Sequence, residues 1–153
     1  MAWPGRPHDA MAQPYAKSWT IPSTNIAAAQ VQQEIVEAIE QQGYKREVVF
    51  AVRLALDEAL VNAVKHGNQS NPDKTVQVEF TINDESIMIQ VEDQGPGFSP
   101  DELPDPTAEE NLPRPNGRGV MLMRAYMTEV DFNERGNRVI LTKRRDCQRP
   151  HAD

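Results

Sequence analysis

Three short stretches of the chain combine acids, amides and glycines at spacings that could do chemistry. In RLALDEALVNAVKHGN, residues 53–68, Glu58 and Asn62 are four apart, so on a helix they share a face. A carboxylate and an amide carbonyl so placed offer hard oxygen ligands. Magnesium takes only one or two of these alongside phosphates and waters. An exposed polar stripe with Asp57 and Lys65 accounts for the same pattern. In SIMIQVEDQGPGF, residues 86–98, Ile87, Ile89 and Val91 alternate with polar neighbours, the rhythm of a strand with one buried face. Asp93 comes next in the buried register. A carboxylate there costs several kcal/mol unless it is hydrogen-bonded, so the strand ends early or the acid has a partner. Gly95 and Gly97 then permit positive φ and close approach to a ligand, or simply a tight turn. An acid at this place could accept a hydrogen bond from a ligand's exocyclic amine. In NGRGVMLM, residues 116–123, Gly117 and Gly119 precede an apolar run. Unpaired amides at the start of a helix there would point at an anion, although glycines before helices are common. The three sites together supply an amine acceptor, a cation site and a phosphate cradle, the parts needed to hold a nucleoside triphosphate with magnesium.

The elements that must position these residues follow from periodicity. The spacing predicts a short edge strand over residues 17–23, with Pro22 confined to its border. A helix capped by Ser23 or Thr24 runs to Gln42 and stops at Gly43, its apolar stripe formed by Val31, Ile35, Ala38 and Ile39. A second helix, from Arg46 to His66, is apolar over a wide arc and is expected to pack on a sheet. TVQVEFTI and SIMIQVED form a hairpin. Residues 95–118 carry five prolines after the Gly-Pro-Gly, together with many acids, and 98–116 within them read as a flexible lid. GVMLMRAYM is a short helix, and EVDFNE and RVILTKR form a closing hairpin around RGN. The expected fold is α+β: a two-layer sandwich of an antiparallel-rich mixed sheet with helices on one face. Residues 1–16 read as a flexible leader, 17–145 as the domain and 146–153 as a flexible tail.

Composition sets bounds on partners. The 153 residues are 39% hydrophobic and 25% charged, as in a single globular domain. A formal charge of −7 argues against direct nucleic-acid binding, which rests on a basic patch. One cysteine excludes an internal disulfide and a cysteine-based metal site. Three histidines at 8, 66 and 151 are too scattered for a local zinc motif. No apolar run reaches membrane-spanning length and no signal peptide is evident, so the expected location is cytoplasmic.

In order along the chain, Glu58-x-x-x-Asn62, Asp93-x-Gly95-x-Gly97 and Gly117-x-Gly119 resemble the ATP-binding fold of DNA gyrase, heat-shock chaperones, histidine kinases and MutL. Within it, LALDEALVNAVKHGN and NGRGVMLMRAYMTEV resemble the small bacterial anti-sigma-factor serine/threonine kinases. The resemblance covers residues 23–144. It implies ATP and Mg2+ as ligands, with Asn62 binding magnesium and Glu58 acting as general base toward a protein hydroxyl. Asp93 would accept the adenine amine, and Gly95 and Gly97 would shape the adenine and ribose pocket. Gly117, Arg118 and Gly119 would border the phosphates, with Arg118 adding charge stabilisation, and Thr142 would reach adenine through water. His66 is expected to be structural. The implied partners are an anti-sigma-factor antagonist protein, the phosphoacceptor, and a sigma factor held silent. Relatives also form a homodimer through the sheet and first helix, where Trp19 and the KSWTI edge could serve. A second reading, from another class, is an ATP-gated module that sequesters a partner without phosphoryl transfer.

Overall fold

A computed structural model describes residues 15–96 and 115–145. Most of the leader, the residues 98–116 expected to form a lid (all but the last two), Gly97 and the 146–153 tail lie outside the described residues, as do the side chains of residues 115–118. The chain order is β1 (Tyr15–Pro22), α1 (Asn25–Gln41), α2 (Arg46–Val61) with a widened turn over Asn62–Gly67, β2 (Thr75–Ile82), β3 (Ser86–Glu92), α3 (Pro115–Tyr126), β4 (Glu129–Phe132) and β5 (Arg138–Arg144).

The strands form one sheet in the order β1-β2-β3-β5-β4, with every described pairing antiparallel. Alternation decides its two faces. Val76, Val78, Phe80 and Ile82 of β2 are buried while Gln77, Glu79 and Thr81 between them are exposed. The register places Val78 beside Val91, Phe80 beside Ile89, and Ile89 beside Leu141. One continuous apolar face therefore runs across three strands. The helices bury it with Ile35, Ile39, Val52, Leu56 and Met123, all at most 1% exposed. The two-layer α+β sandwich expected from the sequence is the fold observed.

Local chemistry sets the helix limits. Thr24 Oγ1 accepts the Ala27 N–H at the start of α1, and Gly43 follows its end at a φ of 82° that favours glycine. Arg145, just past β5, donates to the carbonyls of Gln42 and Gly43 and lies over the Tyr44 ring at 3.8 Å. It thus ties the α1–α2 connection to the sheet. At the opposite edge, Lys17 and Trp19 of β1 both donate to the Glu34 carboxylate of α1.

Strand β1 begins at Tyr15, two residues inside the expected leader, and two further boundary differences bear on the site. Helix α2 does not continue unbroken to His66. From Asn62 it widens, and the Asn68 N–H bonds the carbonyl of Ala63, five residues back; such turns are rare and cluster at functional sites. In addition, α3 starts at Pro115, so Gly117 and Gly119 sit inside its first turns rather than ahead of it. Proline at the first helical position gives up an N–H that has no helical partner anyway. No helix among the described residues is long and apolar enough to cross a membrane.

Candidate active site

The acid at the end of β3 occupies its place by both of the routes its sequence allowed. The strand ends at Glu92, and Asp93 is only partly buried. Its Oδ1 accepts the Gly95 N–H at 2.7 Å, and its backbone N–H continues the ladder to the Asn137 carbonyl. The carboxylate lies directly on Gly67, where even a methyl group would collide with it. Gly95 in turn crosses the Gly67 carbonyl so closely that a side chain at 95 would overlap the backbone. Two glycines are thus required by contact, and the widened turn delivers one of them. Burial raises the Asp93 carboxyl above the ordinary carboxylate range, while the Gly95 N–H and the Arg135 guanidinium oppose that rise.

Asp93 forms one wall of a cavity of about 90 Å³. Its floor is apolar, with Ala59, Ala63, Val91, Met123 and Val139, and its rim is polar, with Asn62, His66, Asn137 and Arg138. A largely apolar cavity with a few polar groups on its lining suits a heteroaromatic ring.

Asn62 lines this cavity, and Glu58, one helical turn before it, meets it beside Gly119. Both are partly buried, and α3 crosses above them at Gly119. A Cβ on Gly119 would stand 3.0 Å from Glu58 Oε1 and 3.3 Å from Asn62 Nδ2. Asn62 Oδ1 is buried and has no hydrogen-bond partner among the described residues. An orphaned buried acceptor is costly and calls for a ligand. A single amide oxygen beside a single carboxylate fits magnesium, which keeps most of its shell as water and phosphate. Among the described residues no cluster of three His, Cys, Asp or Glu side chains could hold a metal alone. The first turn of α3 leaves the backbone N–H groups of Asn116, Gly117 and Arg118 without a partner within the helix.

Thr142 is not brought to this site. It pairs with Met88 on β3 and Glu129 on β4. Its neighbours Leu141 and Lys143 point into the core, so Thr142 faces away from the helices and lies apart from the cavity lining. From this hairpin Phe132, Gly136, Asn137, Arg138 and Val139 line the cavity, and the polar residue bonded to the Asp93 segment is Asn137, at the entry to β5. It is 6% exposed, and its Nδ2 donates to the Asp93 carbonyl at 2.8 Å. The β4–β5 turn is held by Asn133, whose Oδ1 accepts the N–H groups of Gly136, Asn137 and Arg138. Arg135 reaches across to the Gly95 carbonyl.

Residues 21–143 match the family described as the histidine kinase-like ATPase domain. The chain belongs to this family. Among curated histidine kinase-like ATPases, the serine-protein kinase RsbW of Listeria monocytogenes is 26% identical over 108 residues, 66% of this chain and 69% of that protein. The anti-sigma F factor of Clostridium perfringens is 30% identical over 99 residues, covering 61% of this chain and 70% of the relative. That of Bacillus cytotoxicus is 31% identical over 103 residues, with 63% and 70% covered. A solved structure of the RsbU and RsbW domains of a Mycobacterium tuberculosis protein superposes with a TM-score of 0.60 at 18% identity. It covers 89% of this chain, which spans about a third of that one (33%). At that identity the likeness speaks for the fold.

Within a histidine kinase-like ATPase domain, the site as built contains residues that motif reading missed. Asn137 and Arg135 come from a turn, and Asn68 lies just beyond the widened end of α2. Their signal in the sequence is only that they are polar and flank glycine. His66 is on the cavity rim, where burial and neighbouring Lys65 lower its pKa.

Proposed function

We propose that this chain is an ATP-binding anti-sigma factor and protein serine/threonine kinase. In this reading it phosphorylates a small anti-sigma-factor antagonist and, when unopposed, holds a sigma factor silent. The observation that carries the reading is the meeting of Glu58 and Asn62 against Gly119, with Asn62 lining the same cavity that Asp93 walls. A binding module needs the cavity and the amine acceptor. It does not need a carboxylate placed where the phosphates would end.

The residues divide the work. Asp93 accepts the exocyclic amine of adenine, and Gly67 and Gly95 leave room for the ring to approach backbone. The first-turn amides of α3 hold phosphate oxygens, and the family resemblance is what gives Arg118 a charge-stabilising part. Asn62 Oδ1 serves as the protein ligand of magnesium. Bound magnesium would neutralise charge on the phosphates as the phosphoryl group is transferred. Glu58 orients the incoming serine or threonine hydroxyl and takes its proton. The oxygen so freed bonds to the γ-phosphorus as the bridging bond to the β-phosphate breaks.

The names of the Listeria, Clostridium and Bacillus relatives support the kinase and sigma-factor parts of this reading. The test is incubation of the purified protein with γ-labelled ATP, magnesium and soluble extract of its own host, beside the Glu58→Gln variant. Label on serine or threonine of one small protein, present with the wild type and absent with the variant, is expected. ATP binding with no labelled acceptor in either would instead favour an ATP-gated binding module.

A further inference from the structure

Asn68 closes the stretch RLALDEALVNAVKHGN without a role among the residues singled out there, and it does not line the cavity. It is nevertheless 1% exposed, and its carboxamide is engaged on three sides. Nδ2 donates to Ser23 Oγ at 2.8 Å and to the Thr75 carbonyl at 3.0 Å, and Oδ1 accepts the Gln94 N–H at 2.8 Å. Ser23, itself 2% exposed, donates onward to the Lys74 carbonyl. The Gln94 side chain accepts the Thr75 N–H. The β1–α1 corner, the start of β2 and the segment after β3 therefore converge on one side chain. An amide with both protons and an acceptor position used is held in a single orientation.

The two residues that Asn68 fixes most directly are those that place the Asp93 carboxylate. Gln94, whose N–H it accepts, follows Asp93 in the chain. Gly67, on which the carboxylate rests, precedes Asn68. On the far side the same loop is held separately, by Arg135 on the Gly95 carbonyl and Asn137 on the Asp93 carbonyl. Loss of the Asn68 amide would thus leave the loop attached at one side and free to swing at the other. The carboxylate would move while the cavity stayed open.

We infer that Asn68 is the positioning residue for Asp93, and that through it the site distinguishes a purine bearing an exocyclic amine from one without. The inference rests on the nucleotide reading above. A merely structural asparagine would weaken all ligands alike. A positioning asparagine weakens only the ligand that uses the carboxylate.

The experiment measures dissociation constants for ATP and for purine riboside triphosphate, which lacks the amine, in the wild type, Asn68→Ala and Ser23→Ala, with thermal melting to confirm folding. The wild type should prefer ATP by about ten- to a hundredfold, as for a hydrogen bond to a charged acceptor. Asn68→Ala should lose most of that preference with little change toward the purine analogue. Ser23→Ala, which leaves Asn68 its bonds to Thr75 and Gln94, should lose an intermediate share. Full preference retained in a folded Asn68→Ala overturns the inference. Should that variant not fold, unchanged preference in Ser23→Ala overturns it equally. A wild type that binds both nucleotides alike overturns the nucleotide reading and this inference together.

Discussion

Gly119 stands against the carboxylate of Glu58, where a methyl group would fit only if that carboxylate gave way by a few tenths of an ångström. A Cβ there would stand 3.0 Å from Oε1 and 3.3 Å from the Asn62 amide nitrogen. Glycine inside a helix is otherwise a liability of about 0.5–1 kcal/mol relative to alanine. Its presence in the first turns of α3 therefore marks a site where close approach outweighs helix stability. Gly119→Ala is expected to leave the melting temperature unchanged or raise it. Phosphoryl transfer should fall, because Glu58 and Asn62 are pushed aside. A parallel fall of both would show that the glycine serves folding only.

Glu58 itself can be tested without disturbing that packing. Glu58→Gln keeps the shape and removes the base, so transfer should drop by about a hundred- to ten-thousandfold, the usual weight of a positioned general base. ATP affinity should stay within about threefold, since a rim group away from the ring adds little to binding. Single-turnover rates beside equilibrium titration separate the two.

The two glycines under Asp93 should fail differently. In Gly67→Ala the new methyl meets a side chain, and the Asp93 carboxylate can move away at the expense of ligand binding. In Gly95→Ala it meets the Gly67 carbonyl, which is backbone and cannot yield. Chemical denaturation should show Gly95→Ala destabilised by about 1–3 kcal/mol, the range for overpacking, and Gly67→Ala by less. Equal losses would contradict the contact geometry.

How much of this was legible in the sequence depends on the kind of signal. The stripe of α1 and the alternation of β2, β3 and β5 are periodic, and periodicity survives in a linear text. The break at Asp93 was visible because it violates its own register. The widening after Val61 was not, since six residues are too few to carry a five-residue spacing. Asn68 was hidden because its partners lie at positions 23, 75 and 94, and convergence in space leaves no mark at a single position. Thr142 is the instructive miss. Val139 and Leu141 read inward, so parity places Thr142 outward, against the role that the family resemblance implies for it. Pro115 was likewise a start signal for α3 that the following glycines obscured.

The raised pKa of Asp93 has a definite sign. A carboxyl whose pKa is higher when folded keeps its proton at pH values where the unfolded chain has already lost it. Stability then falls as pH rises from the ordinary carboxylate range through the folded pKa, and the penalty persists above it. Asp93→Asn removes that penalty and can still accept the Gly95 N–H. It should be at least as stable as the wild type at neutral pH, with a flatter stability profile above the ordinary carboxylate range. ATP affinity of the wild type should also decline on acidification, with a midpoint above the ordinary carboxylate value, because the neutral acid no longer favours the amine.

Arg145 provides the control far from the site. Arg145→Ala loses bonds to the Gln42, Gly43 and Asp84 carbonyls and the contact with the Tyr44 ring. Stability should drop by about 1–3 kcal/mol, with ATP affinity unchanged in thermal-shift and titration measurements.

The central claim, a magnesium-dependent ATP site between Asp93 and the Glu58–Asn62 pair, is tested most directly by calorimetric titration with ATP, with and without magnesium, in the wild type and Asp93→Asn. Binding strengthened by magnesium in the wild type, and weakened about tenfold or more in the variant as an adenine contact is lost, is the predicted result. Absence of binding, or equal binding by both proteins, would contradict it.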